Sequence, residues 1–162
     1  MEDKTLRGLS ILSAITGVLI LLTELMIILY ARYSLPPLSA ENEGRYVGFG
    51  LLLVIFLLYL PVPLSFFLLA GLLYPGEIKY LKALRPLLTP LGLISVGISL
   101  LMLLRADIVG FLSFLTLSIL AISLARKEEL HKSERFKTMA QALAALCVLQ
   151  AALFGALILS SV

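Results

Sequence analysis

Five long apolar runs, separated by short polar stretches, leave this chain few ways to fold. They cover about residues 6–31, 47–74, 86–104, 108–125 and 138–161. A bilayer's hydrocarbon core is about 30 Å thick, and ~20 helical residues cross it. Inside lipid every backbone N–H and C=O must be satisfied by the protein itself, which a helix does within its own segment. The runs therefore predict an all-α, polytopic membrane protein. Residues 1–162 form one transmembrane domain, a bundle of five transmembrane helices joined by short loops. Composition excludes a soluble globule. Only 14% of the residues are charged and 60% are hydrophobic, where soluble domains carry about 25% charged residues. Lipid is thus the expected solvent for most of the surface.

The third and fourth runs are parted only by Arg105, Ala106 and Asp107. One straight helix over residues 86–125 would be about 60 Å long, roughly twice the core. A tight antiparallel hairpin is expected instead, though no glycine or proline marks its turn. The second run is longer than a straight crossing needs. Pro61 and Pro63 fall near its centre, so a kink or helix break is expected there.

Charge gives the expected orientation. Five crossings place Lys4, Arg7, Lys79, Lys82, Arg85, Arg126, Lys127, Lys132, Arg135 and Lys137 on one side. Arg32, Arg45 and Arg105 fall on the other. This division of the 13 basic residues, ten against three, predicts a cytoplasmic N-terminus and an outer C-terminus in the cell membrane. Tyr30, Tyr33 and Tyr46 at one interface, and Tyr74 and Tyr80 at the other, fit an interfacial belt. The first run is longer than a secretory h-region and reads as a signal-anchor helix. Ile78, Leu81 and Leu84 suggest an amphipathic turn on the inner surface over residues 77–85. The fourth helix is expected to continue past the membrane and turn near Ser133, which would cap the fifth. The scarcity of Asn, Gln and Cys fits a thermophile, and equally any lipid-facing sequence.

Helices associate in lipid through small residues that let backbones approach. The fifth run pairs Ala140 with Ala144 and Ala151 with Gly155. The third carries Ser95 and Ser99, and the first Ser10, Ser13 and Gly17. These faces serve either packing within one bundle or docking of a second chain, most plausibly on the fifth helix.

Glu24 is the one acidic residue well inside a run. Ser10, Gly17 and Glu24 recur every seven residues, with Ser13 close to their face, so Glu24 should look into the bundle. Three roles stay open: a structural partner for Arg105 or for helix hydroxyls, a protonated hydrogen-bonding group, or a proton, cation or substrate site. Arg105 and Asp107 could join it in a shallow outer site. Tyr59 lies beside the Pro61–Pro63 break, the kind of discontinuity that transporters use for binding, although a plain kink with Ser65 satisfying the freed groups is commoner.

No other chemistry is legible. The one histidine, His131, sits in a charged loop and reads as solvated. The one cysteine, Cys147, reads as an apolar packing residue. Gln141 and Gln150 read as interhelical hydrogen-bonding groups. Nucleotide-binding, zinc-hydrolase, serine-hydrolase and redox motifs are absent from the sequence. No catalytic residue, metal site or cofactor is therefore expected. Basic residues in short loops, without interleaved aromatics, do not suggest nucleic acid. The expected partners are the lipid bilayer and either another protein chain or further copies of this one. The expected role is a non-catalytic membrane subunit or scaffold. The alternative is a small homo-oligomeric transporter or channel using Glu24 and the Tyr59–Pro63 break.

Overall fold

A computed structural model describes residues 3–36, 42–76, 79–131 and 135–161, and all its regular elements are helices. They are α1 (Asp3–Tyr33), α2 (Glu43–Tyr59), α3 (Pro61–Leu73), α4 (Lys79–Leu104), α5 (Ile108–Ala125), α6 (Lys127–His131) and α7 (Phe136–Ser161). The chain is an all-α bundle with five helices long and apolar enough to cross a membrane: α1, α2 with α3, α4, α5 and α7.

The second crossing is one span with a break. Leu60 closes α2 and opens α3 with helical torsions, φ −48° and ψ −30°. Pro61 takes the first position of α3, where its missing N–H is best tolerated. Pro61 and Pro63 still withdraw the donors that Leu57 and Tyr59 carbonyls would receive in an unbroken helix. Ser65 does not satisfy them, because its Oγ donates to the Pro61 carbonyl at 2.7 Å.

The α4–α5 hairpin forms as the spacing required. Ala106 supplies the left-handed residue at φ 57°. The Asp107 N–H bonds the Met102 carbonyl and the Ala106 N–H bonds that of Leu103, both at 3.0 Å. This is a Schellman closure with alanine where glycine is usual. Asp107 then caps the next helix, its Oδ1 accepting from the Gly110 N–H at 2.8 Å.

α3 and α5 are the inner elements. α1 packs on α3, α4 on α5, and α7 on both. Close approach depends on glycine at two points. A Cβ on Gly17 would meet Pro63 O and Phe66 Cβ at 3.2 Å, and one on Gly92 would meet Ile122 Cγ1 at 2.7 Å. The main apolar cluster combines Leu6, Phe66, Leu69, Leu72, Leu73, Leu88, Leu120, Leu124, Ala140, Leu143 and Cys147. These residues lie at the end of the bundle where α1, α4 and α7 begin and α3 and α5 finish. We call this the N-terminal side.

Two expectations for the loops are corrected. Residues 79–85 are the first turns of α4, not a separate surface helix, and Pro86 and Pro90 fall inside it. Residues 77–78 lie outside the described residues. The fourth span stops at Ala125. Arg126, at φ −102° and ψ 20°, breaks it, and α6 follows as a separate piece. Ser133, the expected cap of α7, lies outside the described residues.

Candidate functional site

α1 lays a small polar stripe against α3. Ser10 Oγ donates to the Ala70 carbonyl at 2.7 Å, and Ser13 Oγ to that of Phe66 at 3.0 Å. Gly17 meets Pro63 next along the same line. The two helices are antiparallel, so each step up α1 goes with a step back along α3. Glu24, seven residues beyond Gly17, comes level with Phe56, seven before Pro63. It therefore faces the start of the break and α2. Glu24 is 5% exposed, and neither carboxyl oxygen has a hydrogen-bond partner. Burying an unpaired carboxylate is strongly unfavourable, so this position calls for a proton, a water or a ligand.

Glu24 and Arg105 do not form the pair anticipated from sequence. Arg105 is exposed at the α4–α5 turn, and Glu24 has no hydrogen-bond partner. The structure instead brings Tyr59 to Asp107. The Asp107 carboxylate lies near enough to the Tyr59 hydroxyl for its charge to act there. The Tyr59 ring also stacks on Phe154 of α7, with centroids 5.1 Å apart. Tyr59 thus ties α2 to α5 and α7 on the far side of the bundle.

The expected packing residues divide. Ser95, Ser99 and Ala140 are buried within the bundle. Ala144, Ala151 and Gly155 are half-buried. Ala144 and Ala151 line a groove of ≈ 470 Å³ between α1 and α7, floored by α3 at Phe66, Leu69 and Leu73. Cys147 is buried in the core cluster. Gln150 is 1% exposed, and its side-chain oxygen and nitrogen have no partner. Its expected interhelical bond is not formed.

Two features escaped the sequence reading. The first is a lock beneath α3. Lys127 Nζ donates to the carbonyls of Gly71, Tyr74 and Gly76 at 2.9, 2.7 and 3.1 Å. His131 Nε2 donates to the Leu72 carbonyl at 2.9 Å, and its ring stacks on Phe136 at 4.0 Å. A cation on the free carbonyls of a helix C-terminus is favourable by both charge and hydrogen bonding. His131 is therefore a docking residue, not the solvated one expected. Arg85 adds an ion pair to Glu128 at 2.8 Å, joining α4 to α6; it is surface-exposed and contributes little.

The second feature is the bare face of α2. Ten of the thirteen residues of α3 are buried, but only Tyr59 among the seventeen of α2. Gly44 and Gly48 form a G-x-x-x-G spacing at its start. Both are exposed, and a Cβ added at either would meet nothing within 4 Å. This signal is readable from sequence through its four-residue step.

No family model, no curated protein and no solved structure matches this chain.

Proposed function

We propose that this chain is a non-catalytic subunit or scaffold of a membrane assembly, docking another membrane helix against α2. The observation that carries this reading is the state of α2. It is a spanning half-helix with one buried residue, and two exposed glycines four apart stand over open space. Glycine inside a helix is destabilising by roughly 0.5–1 kcal/mol relative to alanine. Facing lipid, it returns nothing in packing. Facing a second helix, it permits the close approach that drives association in membranes. Leu51 and Ile55, also exposed, continue the stripe at helical spacing. The division of basic residues that five crossings imply, ten against three of the 13, supports a cytoplasmic N-terminus in a cell membrane.

The test is the mass of the protein extracted gently from its source membrane. The expected result is a stoichiometric complex that Gly48→Leu dissociates while the chain itself stays folded. Extraction as a lone protomer, with no partner of either kind, sinks the reading.

A second reading, a small transporter or channel, has one observation in its favour: Glu24 is buried with both oxygens unpartnered. It predicts ion or solute flux in liposomes that falls at least about tenfold on Glu24→Gln, as expected where an embedded carboxylate is part of the path. Flux indifferent to that change removes its support.

A further inference from the structure

The groove between α1 and α7 runs along both helices and is floored by α3. Its α7 wall runs from Ala140 to Ala152, about 18 Å at 1.5 Å per residue. That is close to one leaflet's share of a hydrocarbon core about 30 Å thick. The lining extends from Leu9, Leu73 and Ala140, toward the N-terminal side, to Thr16 and Ala152, part-way through the bundle. Its lining is almost wholly apolar, and alanines dominate the α7 wall, so no side chain of this chain fills it. At ≈ 470 Å³ it is too narrow to seat more than the edge of a helix. A helix of that length, about 10 Å across, occupies roughly 1,400 Å³. A single acyl chain is the slimmer apolar body that a membrane supplies.

The end of the groove toward the N-terminal side is polar, and its residues continue the walls in register. On α7, Lys137, Gln141, Ala144, Val148 and Ala151 follow one another at steps of four and three. On α1, Thr5, Leu9, Leu12 and Thr16 do the same. Thr5, Lys137 and Gln141 are all exposed. An ammonium, a hydroxyl and an amide at the end of an apolar slot match a phosphate and an ester above a hydrocarbon tail. Lys4 and Arg7, exposed on the same turns of α1, add positive field at that level.

We propose that this groove is a binding site for one anionic phospholipid from the leaflet on the N-terminal side. Its acyl chain lies between α1 and α7, and its phosphate sits at Lys137 and Thr5. The site is separate from the α2 face and does not depend on a protein partner.

The test uses the full chain in detergent, titrated with dioleoyl phosphatidylglycerol or dioleoyl phosphatidylcholine and weighed by native mass spectrometry. One phosphatidylglycerol should be retained in preference to phosphatidylcholine. Lys137→Gln should cut that preference about fivefold, the contribution of one basic residue at an anionic surface. Ala144→Phe, which fills the groove, should abolish retention of both lipids. Val148→Phe gives the same reading if the first variant does not fold. Equal retention of the two lipids by the parent chain overturns the proposal. So does phosphatidylglycerol retention untouched by both groove-filling variants, which would assign the effect to diffuse attraction. Dissociation of an oligomer by those variants overturns it as well, giving the groove to a second copy.

Discussion

The two halves of the second span share a composition and differ in almost everything else. α2 is apolar along its length after Tyr46 and buries Tyr59 alone; α3 is apolar except for Ser65 and buries ten residues. Apolarity cannot be the cause, since lipid solvates a leucine as well as another helix does. The difference lies in small and polar contacts. α3 has Gly17 opposite Pro63, two serine hydroxyls on its carbonyls, and Lys127 and His131 beneath its end. α2 has its own glycines turned to empty space. In this bundle the N-terminal side is closed by specific contacts and the far side is more open, held at Tyr59 and by the Tyr46 hydroxyl, which donates to the Pro36 carbonyl at 2.8 Å.

The largest test of that contrast compares two leucines one on each half. Leu72 is 0% exposed and Leu57 is 63% exposed. Leu72→Ala opens a cavity in close packing and should cost about 2–3 kcal/mol. Leu57→Ala exchanges one lipid-facing side chain for a smaller one and should stay within about 0.5 kcal/mol. Unfolding of each variant in mixed micelles by a denaturing detergent measures both. Equal losses would mean that α2 is packed as well as α3, and the contrast would fall.

The lock beneath α3 should come next. Lys127→Met keeps the length of the side chain but removes the ammonium from three carbonyls. A loss of about 2 kcal/mol is expected, the scale of a charged hydrogen-bonding group. The same substitution should increase hydrogen exchange at residues 70–74 and leave residues 43–59 unchanged. Protection lost equally in both halves would show the span to be one cooperative unit.

The span positions were legible because each rests on local composition. The 108–125 run became α5 with the same bounds, and the other spans shifted by a few residues, apart from the earlier start of α4. The α1 stripe was legible too, since a seven-residue repeat fixes a face without knowledge of the partner. The lock was not. Lys127 and His131 look solvated in sequence because nothing local says that Arg126 breaks the helix and folds α6 under α3. Glu24 was half legible. Its inward face followed from phase, but its partner depended on where Arg105 would stand, and the Schellman turn carries Arg105 outward. Asp107 was named for a shallow outer site and serves instead as the cap of α5 and a neighbour of Tyr59.

The far side offers two finer tests. Ala106 holds φ 57°, a region that costs an L-residue roughly 1–2 kcal/mol. Ala106→Gly removes that strain and loses some of the gain to the greater freedom of glycine in the unfolded chain. A net stabilisation of about 1 kcal/mol is expected, read in the same detergent titration. A destabilised variant would show that the alanine methyl packs at the turn and that the far side is less open than α2 suggests.

Tyr59→Phe is the smallest change and the most pointed. It keeps the ring on Phe154 and removes only the hydroxyl that lies near Asp107. Asp107 still accepts from the Gly110 N–H, so its carboxylate is not stranded. The loss should stay within about 1 kcal/mol, the scale of a single polar contact. If ring stacking holds α2 to the bundle, exchange protection across residues 43–59 survives the substitution. If the hydroxyl holds it, α2 comes loose while α3 stays protected. Either result separates the two halves further, because a half-span with one buried side chain depends on that side chain's chemistry more than a half-span with ten does.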